Sequence, residues 1–287
     1  MVPVKLLKIL VSCMLLVLVI LFLDIPKFVG VILSVNLFVF PLLFALVFVN
    51  IFLYILSYWI LLDRRVSLIK NIFDYLVVWS FGLFLPGKIG ELAIIPILKK
   101  KYAVSYKDAV FAVVLPKGVI LAIFLLIFAL FIYAAQVLIF VFISILLVVF
   151  LLAFLRGKIR NFVSVFVPQK YLEVFNFKKL FSFNFILVIF LGVLRFLSLI
   201  VFTHLTLLSF GASPSIAWVS FAIAISQITT FLPISLNGLG LREVTFIGIM
   251  QLHGVSAEVA TGAIILSFVA NYGLALISIL AWNLTKD

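Results

Sequence analysis

Six stretches of this sequence are long enough and apolar enough to cross a lipid bilayer as α-helices. A helix rises about 1.5 Å per residue, so about 20 apolar residues are needed to cross a hydrocarbon layer of about 30 Å. The stretches are approximately residues 6–23, 37–62, 109–132, 135–155, 184–209 and 258–283. Because 67% of the residues are hydrophobic and only 10% are charged, little sequence is left for a water-soluble domain. We therefore predict an all-α, polytopic membrane protein in which residues 1–287 form a single transmembrane domain.

The apolar run from Phe28 to Leu62 is too long for one simple crossing. We expect Pro41 to divide it into a piece at the membrane surface and the crossing itself, because proline interrupts helical hydrogen bonding. The first apolar run resembles a signal peptide, but the sequence Asp24-Ile25-Pro26-Lys27 that follows it offers no small residues to a signal peptidase. We expect that run to remain as an uncleaved first helix.

Two further apolar segments, residues 71–98 and 214–252, are interrupted near their middle by proline, glycine and charged residues. Their return arms, residues 92–98 and 244–252, would each extend only about 10–14 Å as helix, which is too short to cross a bilayer. We therefore predict two re-entrant broken hairpins, each leaving the membrane on the side that it entered. Irregular backbone at that depth must be buried in protein or line a wet cavity.

Lysine and arginine predict the orientation of the chain. With the N-terminus inside, 16 of the 21 basic residues fall on the cytoplasmic side and only Lys27 falls outside. This asymmetry follows the rule that positive charge stays inside. The net charge of the chain is +12, and we expect its basic residues to face an anionic lipid surface. Nucleic acid is not expected as a partner. We predict a multi-pass protein of the cytoplasmic (plasma) membrane with both termini inside.

The two broken segments resemble each other. Phe84-Leu85-Pro86 recurs 147 residues later as Phe231-Leu232-Pro233, and the glycine-rich turns end at Glu91 and Glu243. Each hairpin lies between two crossings, and the two hairpins would open to opposite faces of the membrane. The predicted inverted repeats are approximately residues 37–132 and 184–283. Paired interrupted helices in inverted repeats mark a binding site near the membrane midplane in secondary transporters.

Six charged residues are predicted to lie inside the membrane, where an ionised side chain costs roughly 2.5–3.5 kcal/mol unless it has a partner or a wet cavity. They are Lys88, Glu91, Lys117, Arg195, Arg242 and Glu243. If the hairpin turns meet, these groups would surround a cationic pocket that suits a phosphate, since arginine and lysine both bind phosphate well. The turns add backbone amides and polar contacts to the candidate site. The turn residues concerned are Gly87, Gly90, Gly238, Gly240 and Asn237.

A purely structural role for these charges remains open. In that interpretation, Lys88–Glu91 and Arg242–Glu243 are ion pairs that hold the hairpins together, and Arg195 bonds a backbone carbonyl. The same residues would then contribute to the fold without meeting a ligand.

No soluble-enzyme motif or metal-binding pattern is present in the sequence. Gly238-Leu239-Gly240 lacks the third glycine and the strand–helix context of a dinucleotide-binding site. The chain has one cysteine, and its two histidines have no acidic partner at ligand spacing. We expect no metal site and no cofactor.

The order of these motifs resembles the lysylphosphatidylglycerol synthase transmembrane-region family, and the resemblance covers essentially the whole chain. The residues that carry it are Pro86-Gly87-x-x-Gly90-Glu91 and Pro233 followed by Asn237-Gly238-Leu239-Gly240-Leu241-Arg242-Glu243. Members of the family are flippase-like integral membrane proteins, so the resemblance implies translocation of a lipid with an anionic or phosphate-containing head group. Its full-length synthases also carry a soluble aminoacyl-transferase domain. This chain ends at Asp287, just after its last predicted span, so we expect it to lack that activity.

The sequence departs from the family in one place. The helix after the first hairpin often has an acidic–basic pair and a later acid in the family, whereas here it reads Leu115-Pro116-Lys117-Gly118. If that pair matters for substrate choice or coupling, the resemblance implies a different substrate.

We therefore expect a flippase-like transporter of a membrane lipid, either a phospholipid or a polyprenyl-phosphate carrier. Two alternatives stay open. One is a membrane-embedded transferase or hydrolase acting on lipid-linked substrates, with Glu91 or Glu243 as general base. The other is a non-transporting partner of a lipid-modifying or glycosyl-transferring enzyme.

Overall fold

Regular structure in the described part of the chain is helical. The structure is a computed structural model. It describes Met14 and residues 24–35, 38–84, 89–133, 182–230 and 239–284. The predicted crossings at 6–23 (apart from Met14) and 135–155 lie outside the described residues. The helices are α1 Ile25–Leu33, α2 Val39–Leu61, α3 Leu68–Phe84, α4 Ile89–Leu92, α5 Ile94–Tyr102, α6 Tyr106–Tyr133, α7 Phe183–Leu208, α8 Ile216–Thr229, α9 Leu241–Leu252 and α10 Ala257–Leu284.

Four of the described helices are long and apolar enough to cross a membrane: α2, α6, α7 and α10. Their sequences lack the alternation of apolar and polar faces that a helix at a water-exposed surface would have, and large apolar side chains lie exposed along them. Examples are Phe48, Leu125, Phe190, Leu197 and Leu280. The prediction of an all-α, polytopic membrane protein is confirmed.

The long run from Phe28 to Leu62 is divided, as predicted, but the division falls before Pro41. Helix α1 ends at Leu33 and α2 begins at Val39, so Pro41 stands in the first turn of α2. A proline is tolerated there because the first amides of a helix have no intrahelical acceptor.

The first broken segment folds back on itself. Helix α3 is followed by the four-residue α4 and the nine-residue α5, and both pack against α3. The end of α5 returns beside the start of α3, where Lys101 Nζ lies 2.7 Å from Asp74 Oδ1 and the Tyr102 hydroxyl donates to Asp74 Oδ2 at 2.6 Å. Burial and this hydrogen bond to Asp74 raise the pKa of the Tyr102 phenol.

The second broken segment folds back in the same way. Helix α8 ends at Thr229, α9 begins at Leu241, and the two helices pack together. The His253 ring, just after α9, stacks on Trp218 near the start of α8 with 3.5 Å between ring centroids. With 14 and 12 residues, α8 and α9 would extend only about 21 and 18 Å, so neither is long enough to cross a bilayer alone.

Helices from the first half of the chain pack in pairs against helices from the second half. Helix α2 packs against α7, α3 against α10, and α6 against α8. Small residues allow close approach at two further crossings. A Cβ on Gly192 of α7 would lie 2.8 Å from Val119 Cγ1 of α6, and a Cβ on Gly273 of α10 would lie 2.7 Å from Phe44 Cε1 of α2.

Candidate functional site

The first candidate group of charges forms where α4 meets α6. Glu91 lies on α4 and forms an ion pair with Lys117 of α6 through Glu91 Oε2 and Lys117 Nζ. Their side chains are only 18% and 25% exposed. Lys117 follows Pro116, which lies inside α6 and leaves one carbonyl of that helix without its usual donor. One turn earlier, the Val113 carbonyl accepts a hydrogen bond of 2.7 Å from the Tyr54 hydroxyl.

Two buried tyrosines form an aromatic wall beside this ion pair. The rings of Tyr54 on α2 and Tyr75 on α3 lie 5.1 Å apart, and the Tyr75 hydroxyl lies 3.4 Å from Glu91 Oε2. Two cations lie over the Tyr54 ring: Lys117 Nζ is 5.3 Å from its centroid and Arg195 Cζ is 5.0 Å away. A cation over an aromatic face is stabilised by the ring quadrupole, most strongly away from water.

Arg195 enters this group from α7, in the second half of the chain. Its backbone carbonyl accepts a 3.0 Å hydrogen bond from Asn50 Nδ2 of α2, and the same amide donates to Ser198 Oγ at 2.8 Å. These bonds hold α7 against α2 at this level. The Arg195 guanidinium, in contrast, lacks such partners. Its Nε and Nη1 are buried and have no hydrogen-bond acceptor among the described residues. We call Glu91, Lys117, Arg195, Tyr54 and Tyr75 the central charge cluster.

The second group of charges lies at the start of α9. Arg242 Nε and Nη2 donate to Glu243 Oε1 at 3.0 and 2.6 Å, and the Gly240 amide donates to Glu243 Oε2 at 2.8 Å. Gly240 has φ +80°, a conformation that side-chain-bearing residues rarely adopt. The Arg242 guanidinium also lies 5.6 Å above the Phe268 ring of α10. We call Gly240, Arg242 and Glu243 the α9 cap.

The structure brings some of the predicted site residues together and leaves others apart. Glu91, Lys117 and Arg195 meet in the central charge cluster, while Arg242 and Glu243 pair in the α9 cap. Glu91 pairs with Lys117, and the pairing of Glu91 with Lys88 in the structural alternative involves a residue outside the described ranges. Gly90 lies in α4 and Gly240 caps α9. Four candidates lie outside the described residues: Gly87, Lys88, Asn237 and Gly238.

The sequence reasoning missed the polar face of α2. Asn50, Tyr54 and Tyr58 recur at intervals of four residues within an otherwise apolar span, so they lie on one side of the helix. Tyr58 donates to Asn71 Oδ1 at 2.9 Å, and the other two residues reach α6 and α7. Polar residues at helical spacing in a membrane span could have predicted a face turned toward protein.

A comparison with protein families matches the chain, over residues 5–279, to the family described as the lysylphosphatidylglycerol synthase TM region. The chain belongs to that family. The match covers nearly the whole chain, so the predicted resemblance is confirmed. No curated protein and no solved structure matches the chain.

In this member of the lysylphosphatidylglycerol synthase TM region family, the central charge cluster has the chemistry of an anion site. Two cations and one carboxylate meet there, and arginine donors suit the oxygens of phosphate or carboxylate. Within the described ranges, no three His, Cys, Asp or Glu side chains are grouped closely enough to hold a metal ion.

Proposed function

We propose that this protein moves a lipid with an anionic or phosphate-containing head group across the cytoplasmic membrane. The observation that carries the proposal is the central charge cluster, in which Glu91 and Lys117 from the first half of the chain meet Arg195 from the second half. Charges at this depth in an apolar protein are costly. Their cost is offset if they serve a polar ligand that must itself pass through the apolar layer.

An inverted repeat of approximately residues 37–132 and 184–283 is the second part of the proposal. In the repeat, α2 corresponds to α7, α3 to α8 and α6 to α10. If the repeat is present, the contact of α3 with α10 should have an equivalent contact of α8 with α6. The contact of α2 with α10 should likewise have an equivalent contact of α7 with α6. Both members of each pair of contacts are present, which supports the repeat.

The two broken segments then act as re-entrant hairpins that open to opposite faces. Support comes from their folding back, through Asp74 with Lys101 in the first segment and Trp218 with His253 in the second. With both termini in the cytoplasm, the basic clusters after α2 and at the end of α5 face the inner leaflet. Rocking of one repeat against the other would expose the central charge cluster to each side in turn.

The head group would lie between the two hairpin turns in this mechanism. Lys117 and Arg195 contact it from the crossings, and Lys88 and Arg242 add positive charge at the turns. Glu91 and Glu243 orient these cations. The lipid is a phospholipid or a polyprenyl-phosphate carrier, and both present phosphate oxygens to the site.

Reconstituted vesicles with fluorescent lipids in one leaflet test the proposal. We expect wild-type protein to move an anionic lipid between leaflets, and both Lys117→Met and Arg242→Ala to lose this activity. Lys27→Gln is the control, because Lys27 is exposed and its carboxylate partner among the described residues is Glu258, at 3.5 Å. If wild-type protein moves no lipid, the transport proposal is wrong.

The same preparations separate the two alternatives. A chemically altered lipid without movement between leaflets would identify a transferase or hydrolase. Co-purification of a lipid-modifying or glycosyl-transferring enzyme, with neither movement nor turnover by the protein alone, would identify a non-transporting partner.

A further inference from the structure

The three described cations inside the membrane differ in how their charge is compensated. Lys117 has the carboxylate of Glu91, and Arg242 has the carboxylate of Glu243. Within the described ranges no carboxylate lies within ion-pair distance of Arg195, which lies over the uncharged ring of Tyr54 and is attracted to Glu91 only from farther away. One cation of the central charge cluster is therefore left without a directly paired carboxylate among the described residues.

The charge of Arg242 is already balanced by a carboxylate. Its Nε and Nη2 already donate to Glu243 Oε1, and Glu243 Oε2 accepts from the Gly240 amide. The Glu243 side chain is only 4% exposed, so this arrangement is built into the fold. These hydrogen bonds fix the start of α9. Arg242 therefore acts as a positioning residue for the second hairpin turn.

Hydrogen bonds fix the backbone carbonyl of Arg195, but two nitrogens of its guanidinium have no hydrogen-bond acceptor among the described residues. Asn50 fixes its carbonyl, and the neighbouring Ser198 donates to that same carbonyl at 2.8 Å. By contrast, its Nε and Nη1 are buried donors without an acceptor. A guanidinium presents donors in a rigid plane that matches the oxygens of a phosphate or carboxylate. The donors of Arg195 are thus positioned for such a group before any ligand arrives.

A guanidinium at this depth without a directly paired carboxylate is costly in free energy. Burial of a charge is tolerated when it is paired, when it reaches water or when function requires it, and guanidinium keeps its proton in proteins. The Tyr54 ring offsets only part of this cost. An anionic ligand would supply the missing acceptors and the missing charge together.

We propose that Arg195 is the anion-binding residue of this protein and that it receives the singly charged phosphodiester of a phospholipid head group. The proposal rests on the lipid-transport function above and chooses a phosphodiester over a phosphate monoester among the lipids left open there. In the central charge cluster, Lys117 and Arg195 carry two positive charges and Glu91 carries one negative charge, so the cluster has one net positive charge for a ligand. A phosphodiester carries one negative charge, whereas a phosphate monoester carries about −1.5 to −2 at pH 7.

Binding to the purified protein in detergent tests this assignment directly. The probes are three short-chain lipids: phosphatidylglycerol, a diester with one net negative charge; phosphatidylcholine, a diester without net charge; and phosphatidic acid, a monoester. Native mass spectrometry or lipid-induced thermal stabilisation gives their relative affinities. We expect phosphatidylglycerol to bind most tightly, and Arg195→Met to weaken it roughly ten- to a hundredfold, the value of a hydrogen bond to a charged group. Arg195→Lys should recover part of the loss, since it keeps the charge without the planar donors.

Arg65→Met is the matched control, because it removes a guanidinium whose side chain is 69% exposed and pairs with Asp63 at 3.5 Å. It should leave lipid affinity unchanged. If phosphatidic acid binds more tightly than phosphatidylglycerol, the phosphodiester assignment is overturned. If Arg195→Met binds phosphatidylglycerol as wild type does, Arg195 is not the anion-binding residue.

Thermal unfolding without added lipid distinguishes a ligand-binding arginine from a structural one. Removing an uncompensated buried charge should leave the unfolding temperature of Arg195→Met unchanged or raise it. A clearly lower unfolding temperature for both Arg195→Met and Arg195→Lys would show that the side chain supports the fold, and would overturn the proposal.

The outcomes keep this inference apart from the transport proposal. Arg195-dependent lipid binding without movement of lipid in vesicles would contradict transport and leave the anion site standing. Movement of lipid that is equally fast in wild type and Arg195→Met would contradict the anion site and leave transport standing.

Discussion

The two broken segments carry similar sequence motifs, yet their glutamates have different roles. Glu91 reaches from the short helix α4 to Lys117 on another long helix and stays partly accessible at 18% exposure. Glu243 turns back on its own helix, where it accepts from Gly240 and Arg242 and is 4% exposed. The first segment therefore contributes its carboxylate to a site shared between helices, while the second uses its carboxylate to fix its own turn.

This contrast predicts that the second segment depends more strongly on its glutamate for stability. Glu243→Gln would leave Arg242 half-buried without its counter-ion and weaken the cap on Gly240. Breaking a buried pair from one side costs about 3 kcal/mol or more. Thermal unfolding in detergent should show a large loss for Glu243→Gln and a smaller one for Glu91→Gln, whose site is more accessible. Equal losses for the two variants would remove the distinction between the segments.

The turn before α9 should be similarly intolerant of a side chain. Gly240 has φ +80° and ψ −52°, so alanine there is strained by about 1–3 kcal/mol. Gly240→Ala should lower the unfolding temperature and disturb the α9 cap. The control is Gly248→Ala on α9 itself, where nothing lies within 4 Å of an added Cβ. A Gly240→Ala variant as stable as wild type would mean that the cap does not determine this turn.

The central charge cluster should instead be sensitive to contacts between helices. A Cβ on Gly192 would lie 2.8 Å from Val119 Cγ1, so Gly192→Ala pushes α7 from α6 one turn away from Arg195. Overpacking of this kind costs about 1–3 kcal/mol, and part is recovered by the better helix propensity of alanine. We expect a net loss of about 1 kcal/mol in thermal unfolding and weaker lipid binding at Arg195.

Gly118→Ala is the matched control for that substitution. Gly118 lies next to Lys117, but nothing lies within 4 Å of an added Cβ, so the variant should be as stable as wild type or slightly more stable. If Gly192→Ala and Gly118→Ala behave alike, close packing of α6 and α7 does not control the central charge cluster.

The smallest effect is expected at the end of the first return arm. Ala103 follows α5 with φ 53° and ψ 25°, in the left-handed region that glycine adopts more readily. Ala103→Gly should therefore stabilise the protein by about 0.5–1 kcal/mol, after the added freedom of the unfolded chain is allowed for. A slightly higher unfolding temperature would agree with this expectation, and a lower one would contradict it.

Much of the fold could be predicted from composition and local signals. The long apolar runs gave α2, α6, α7 and α10 to within a few residues, and short return arms marked α5 and α9. The break between α1 and α2 was misplaced because Pro41 was expected to interrupt a helix, whereas a first-turn proline is compatible with one. Apolar length and proline position affect only the residues next to them, so their consequences can be predicted from the sequence alone.

The candidate site could be predicted in part, for the same reason. Arg242 and Glu243 are adjacent, so their pairing was foreseeable. Glu91 and Lys117 are 26 residues apart, and their meeting depends on how the first broken segment packs against α6. The wall of Tyr54 and Tyr75 was missed, because contacts between helices are set by packing that a single sequence does not display.

The rate at which a fluorescent phosphatidylglycerol crosses the membrane of reconstituted vesicles tests the account most directly. We predict rapid crossing with wild-type protein and a rate close to that of protein-free vesicles with Arg195→Met, at equal amounts of folded protein. Identical rates for protein-free, wild-type and Arg195→Met vesicles would contradict the account, because the central charge cluster would then have no role in moving lipid across the membrane.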